Sequence, residues 1–331
     1  MSAERTNPRL ENYFERTGEM SYGQWNNEYA PNFVFGHRFM EDGFGISIDQ
    51  YTPMGYSGSH GAEEQGLNPI VHLLPHTQTS TPHMQIRSAI LGETQANGPR
   101  KVLTVPNNNF GARGHLKAKF ENGDFSPYGE LVAIALEHYG IKKVDVVGYS
   151  LGASTGASVI ERSLGEHSTF EVGHAWLGDP PNTVERTSKQ LQKDFKGEGW
   201  SEIDTFLRTV AESEYQPYID AIGSKGVFLI DLLEFAVGSQ YPCNRALQKG
   251  MATDSFMGTM QRISDRHWSD LYVTLARAEN SRITLVEPLN KIMTMRHNPT
   301  LFTETIKGGG HERGDQVRQI AGHVATALSV R

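Results

Sequence analysis

Val144-Asp145-Val146-Val147-Gly148-Tyr149-Ser150-Leu151-Gly152 runs an apolar strand straight into Gly-x-Ser-x-Gly. Residues 153–164 follow as a weakly amphipathic helix. Strand, tight turn and helix in that order hold a serine in a strained backbone conformation, with its Oγ standing clear of the sheet edge. Side chains at positions 148 and 152 would collide where strand and helix pass closest, which accounts for the two glycines. The helix also aims its N-terminus at whatever the serine attacks, favouring a developing negative charge. Glycine and serine are common in loops, so the pentapeptide alone is a weak signal. Its flanks carry it: the strand ends on the motif, and Ala153, Ser154, Gly156 and Ala157 keep the following helix slim.

Upstream, residues 33–40 and 45–51 read as a hairpin turning at Glu41-Asp42-Gly43, with strict alternation in Ile46-Ser47-Ile48-Asp49. A strand at 69–74 leads into Pro75-His76-Thr77, a helix at 82–92 follows, and a strand at 101–105 opens into a loop reaching Gly114. Ser126 and Pro127 start a helix with Leu131, Ile134 and Ala135 at helical spacing. Downstream, 170–178 is a strand ending in Asp179-Pro180-Pro181. Residues 182–267 break the β/α rhythm with amphipathic segments at 203–211, 227–237 and 257–263. Then come an expected helix at 265–277, strands at 282–286 and 301–306, the run Gly308-Gly309-Gly310-His311, and a closing helix at 316–330. Alternating β and α predicts an α/β fold: a mostly parallel twisted sheet with helices on both faces. The polar residues 1–30 read as a surface arm.

The chain has 331 residues, enough for one large domain with an insertion, and its net charge of -7 argues against a nucleic-acid partner. No apolar run approaches the roughly 18 to 20 residues of a membrane span, and the charged start lacks the apolar core of a signal peptide. The one cysteine, Cys243, leaves no intramolecular disulfide and suits a reducing cytoplasm. The histidines are many, but none has metal-ligand spacing with a second ligand, and no cofactor is expected.

With the hairpin, the loop after the third strand, the Gly-rich turn Phe110-Gly111-Ala112-Arg113-Gly114 and the Gly-x-Ser-x-Gly turn in this order, the chain resembles the α/β-hydrolase superfamily beyond residue 30. It departs from the family's pattern in having Pro75-His76 where a His-Gly is usual. The resemblance implies a core of residues 31–181 and 268–331, with 182–267 inserted after the sixth strand as a helical cap. It also implies the chain order serine, acid, histidine.

Serine is a poor nucleophile until a base takes its proton. His311, behind three glycines after the last strand, fits that role for Ser150. The acid has more than one candidate. With 282–286 as the penultimate strand, the family's usual acid position falls on Asn290, which can orient an imidazole but cannot stabilise its cation. Asp179 is the preferred acid, as some family members carry theirs on the preceding strand, and Glu287 is the alternative. The oxyanion hole needs two backbone N–H groups, assigned to Leu151 and Thr77. Tyr149, Trp176, Phe228, Phe235, Tyr241, Phe256 and Trp268 are available to line a pocket. The expected activity is hydrolysis of a small-molecule ester, thioester, lactone or amide. An acyltransferase, a ligand-binding member with little turnover, and a lyase are the alternatives.

Overall fold

A computed structural model describes residues 7–41, 44–54, 67–76, 81–106, 114–195, 216–217, 220, 242–266, 270–295, 300–308, 310–311 and 316–329. The expected helices at 203–211 and 227–237 lie outside these residues, as does Thr77.

Eight strands form one sheet: β1 (Phe33–Glu41), β2 (Phe44–Tyr51), β3 (Ile70–Leu73), β4 (Val102–Val105), β5 (Lys143–Tyr149), β6 (Glu171–Gly178), β7 (Tyr272–Ala278) and β8 (Leu301–Ile306). They lie in the order β1-β2-β4-β3-β5-β6-β7-β8. The β1–β2 and β2–β4 pairs are antiparallel and every later pair is parallel. Because side chains alternate across a strand, the sheet divides two cores. Val71 and Leu73 face one, where the helices Gly114–Glu121, Ser126–His138, Leu151–Ser163, Ser255–Ser264 and Val286–Met295 pack. Ile70 faces the other, covered by the helices Thr81–Glu93 and Gln316–Ala327.

Residues 7–30 are not a surface arm. They form the helices Pro8–Thr17 and Tyr22–Tyr29, the first capped by Asn7, the second by a reciprocal Ser21–Gln24 capping box. Leu10, Tyr13 and Phe14 sit at helical spacing and are buried with Trp25 and Tyr29 in the second core. Trp25 stacks on Tyr29 at 5.0 Å and donates its indole N–H to the Tyr13 hydroxyl at 3.1 Å. Trp25→Ala is therefore expected to cost about 3–5 kcal/mol in urea unfolding; a loss below about 1 kcal/mol would mean the pair of helices merely drapes the surface.

Two downstream elements also differ from expectation. Residues 272–278 are strand β7, not the end of a helix, and 282–286 are not a strand. Instead they are a turn leading into the helix Val286–Met295. Arg277 knits that turn, donating from Nε to the Thr284 carbonyl and from its terminal nitrogens to the carbonyls of Glu279 and Ser281. Carbonyls satisfied by a guanidinium have no need of a ladder partner.

Of the expected cap, the helices Pro242–Gly250 and Ser255–Ser264 pack beside the first core, where Ala246, Leu247, Phe256, Met260 and Ile263 are buried. Among the described residues no helix is long and apolar enough to cross a membrane.

Candidate active site

Ser150 follows β5 as the N-cap of the helix Leu151–Ser163, at φ 56° and ψ -127°. A non-glycine residue at such angles is strained and persists only when its surroundings impose it. Here they do. The Ser150 N–H bonds the Gly178 carbonyl at 2.8 Å. A Cβ at Gly148 would overlap the Gly152 carbonyl oxygen, and one at Gly152 would overlap the Leu73 carbonyl oxygen. The end of β3 thus lies directly against the first turn of the helix, and the chain leaving β3 toward Leu74, Pro75 and His76 starts beside the serine.

Asp179 follows β6, one strand over, and it too has a positive φ, 49°. Its N–H bonds the Ala276 carbonyl at 2.8 Å, which pins it between β6 and β7. One carboxylate oxygen accepts the Ala278 N–H at 3.2 Å; the other accepts the Ser281 hydroxyl at 2.7 Å. Ser281 Oγ in turn accepts the N–H groups of Ile283 and Thr284, both at 3.1 Å. Sequence reasoning missed Ser281, and nothing in its neighbourhood of the chain singles it out.

His311 completes the arrangement. Its Nδ1 lies 2.5 Å from Asp179 Oδ2 and its Nε2 lies 2.8 Å from Ser150 Oγ. The roles follow from chemistry: an ionised carboxylate only accepts, so Nδ1 carries the proton, Nε2 is left as acceptor, and the serine O–H donates to it. Ser150, Asp179 and His311 are 4%, 0% and 4% exposed, so the whole chain of hydrogen bonds is removed from solvent. Tyr149 braces the histidine, donating its hydroxyl to the His311 carbonyl at 2.9 Å with the rings 5.4 Å apart. Phe195 also meets the imidazole edge-on, centroids 5.3 Å apart. Phe195 is a second residue the sequence does not flag.

Glu287 and Asn290 are not brought to this site. Both are exposed on the helix Val286–Met295, whose buried positions include Leu289 and Ile292. The acid position was placed on Asn290 by counting from a strand at 282–286; the strand is β7, and the count moves with it. Leu151 is the first residue of the helix, buried behind Ser150, with its backbone in the N-terminal turn. Among the aromatic candidates, Tyr149 borders the site, while Trp176 and Phe256 are buried in the two cores. Phe228, Phe235, Tyr241 and Trp268 lie outside the described residues. Among the described residues, no group of three His, Cys, Asp or Glu side chains could hold a metal ion.

No protein-family model matches the sequence, and no curated protein matches it. Solved structures do. An N-formylmaleamic acid deformylase from Pseudomonas putida S16 superposes with a TM-score of 0.51 at 15% identity, over 89% of this chain and 100% of its own. A serine hydrolase from the polyaromatic hydrocarbon-degrading bacterium Cycloclasticus zankles gives 0.54 at 11%, over 88% and 96%. The haloalkane dehalogenase DatA from Agrobacterium tumefaciens C58 gives 0.52 at 13%, over 90% and 98%. At such identities the likeness is one of fold, and a dehalogenase beside a deformylase shows that this fold hosts more than one bond cleavage.

Proposed function

We propose that this chain, which has the α/β-hydrolase fold, is a serine hydrolase that cleaves a small-molecule ester, thioester, lactone or amide through an acyl-enzyme on Ser150. The observation that carries this reading is the buried relay from Asp179 through His311 to Ser150. In the proposed reaction Ser150 Oγ attacks the acyl carbon while His311 Nε2 takes its proton. Asp179 then holds the imidazolium, and the histidine returns the proton to the leaving group. Water repeats the sequence on the acyl-enzyme. The backbone N–H groups of Leu151 and Thr77 are assigned to the oxyanion; each such donor is worth about 3–4 kcal/mol in the transition state. The helix beginning at Leu151 adds its positive end. The neighbours named as a serine hydrolase and a deformylase support hydrolytic chemistry in general. The test is a fluorophosphonate probe, which reacts only with an activated serine: the expected result is one labelled residue, Ser150, and an unlabelled folded protein would overturn the proposal.

The low exposure of Ser150 and His311 favours acyl transfer to an alcohol or thiol as a second reading, because a site screened from bulk water gives an organic acceptor the advantage. Acceptor competition separates the two. A transferase turns over slowly until acceptor is added and then saturates with it, whereas a hydrolase releases free acid at full rate with no acceptor present.

We assign the cap to the inserted segment 182–267, entered through Phe195 against His311. Pocket contacts discriminate substrates through the fit of each methylene. Phe195→Ala is thus expected to shift kcat/KM by about tenfold toward longer acyl chains, measured across a series of p-nitrophenyl esters. An equal loss for every chain length, with folding intact, would count against a specificity role.

A further inference from the structure

On the other side of β5 from the elbow helix, the second core lines a small, partly open cavity of about 20 Å³. That is room for about one small species, since a water needs roughly 10–15 Å³. Its walls are mostly apolar, Ile90, Trp176 and Ile320 among them, but His72 and Arg87 also face it. Both are more than nine-tenths buried, 3% and 8% exposed. His72 Nδ1 and Arg87 Nε are shut away from solvent with no hydrogen-bond partner. Among the described residues no carboxylate pairs with Arg87. The other polar groups on the cavity are occupied: Trp176 donates its indole N–H to Glu304, and Tyr149 donates its hydroxyl to the His311 carbonyl.

A guanidinium more than nine-tenths buried, with its Nε unpartnered and no carboxylate among the described residues beside it, is costly to hold, and a counter-charge lowers that cost. A water molecule can accept its hydrogen bonds but cannot neutralise it. We propose that the cavity binds one monovalent anion of chloride size, held by the Arg87 guanidinium and by an N–H on His72 Nδ1. The two residues come from different elements, β3 and the helix Thr81–Glu93, so the anion ties helix to sheet directly behind Tyr149. Burial, and then the nearby guanidinium, push the His72 imidazole down to about 3, so at neutral pH it is uncharged and one ring nitrogen carries a hydrogen to donate. The small volume favours a halide over sulfate or an organic carboxylate. This inference is independent of the proposed reaction, and its test needs no turnover.

Thermal melting of the whole protein in mixtures of sodium chloride and sodium gluconate, at constant ionic strength, is the first measurement. Chloride binding the folded state raises Tm with concentration. A rise of a few degrees is expected over a hundredfold increase in chloride, reproduced by bromide and not by sulfate. Arg87→Met, close in volume and uncharged, is expected to remove the chloride dependence; an unchanged dependence in that variant would overturn the proposal. If Arg87→Met does not fold, anomalous diffraction from wild-type crystals grown in bromide decides. A peak between Arg87 and His72 supports the site. No anomalous signal there, with a Tm indifferent to halide, means the cavity holds water and the proposal is wrong.

Discussion

Ser150→Ala is expected to lower kcat by about 10⁶-fold and to abolish fluorophosphonate labelling. In the proposed reaction the Oγ is both the attacking atom and the proton donor to His311 Nε2, 2.8 Å away. Without it the proposed acyl-enzyme cannot form, and any remaining turnover is expected to come from the assigned oxyanion site and binding alone. Position 150 has a positive φ whichever residue occupies it, and alanine bears the same strain as serine. The variant should therefore melt within a few degrees of wild type, which separates loss of chemistry from loss of fold. Burst kinetics with an activated ester make the measurement. A variant retaining more than about one per cent of wild-type kcat would mean that another group attacks.

Asp179→Asn is expected to lower kcat by about 10⁴-fold with little change in KM. The carboxylate accepts from His311 Nδ1 at 2.5 Å, from Ser281 at 2.7 Å and from the Ala278 N–H at 3.2 Å. Asparagine has one acceptor oxygen for these three donors. With the Ala278 N–H still donating to the remaining oxygen, the amide NH2 takes the place of the oxygen that accepted from both His311 and Ser281, presents N–H to the ring and forces the proton onto Nε2, the wrong tautomer to receive one from serine. The charge that steadies the imidazolium is gone as well. Glu287→Gln and Asn290→Ala, on the exposed helix face, are expected to stay within about twofold of wild type, as surface changes do. Steady-state kinetics of the three variants decide. An Asp179→Asn enzyme within tenfold of wild type, or a large loss at Glu287, would overturn the assignment of the acid.

The first six strands and the serine turn are legible because apolar strands such as 144–149 end on residues with a backbone job. Gly148 and Gly152 admit a close approach that a Cβ would block. Two elements were not legible in the same way. In Leu271-Tyr-Val-Thr-Leu-Ala-Arg-Ala278 the apolar positions 271, 275 and 278 fit a helix as well as a strand, and alanine, leucine and arginine favour the helix. The parallel ladder between β6 and β8 overrides that preference. Ile283-Thr284-Leu285-Val286 has strand composition, yet Ile283 and Thr284 are buried by a turn that Arg277 holds from the side. That exchange misplaces the acid position by a whole element. The amino-terminal helices were overlooked for a different reason. Their average polarity is high, and the signal lies in the spacing of Leu10, Tyr13, Phe14 and Thr17 rather than in composition. Ser281 and Phe195 act through tertiary contacts, which no local pattern records.

Ser150 and Asp179 leave neighbouring strands at the same rung: Tyr149 and Gly178 are ladder partners, and the Ser150 N–H reaches the Gly178 carbonyl. Their separation is as constant as the spacing of two strands, about 4.8 Å, and it changes only if the sheet itself comes apart. His311 arrives alone, on the chain beyond β8, and is secured by the Tyr149 hydroxyl and the Asp179 carboxylate. A catalyst assembled this way has two clocks. On this reading, gentle warming that lifts His311 from its seat is expected to silence turnover reversibly, with activity returning on cooling and no refolding needed. Permanent loss is expected only when the ladder melts, so activity assayed during heating and again after cooling should tell dormancy from denaturation.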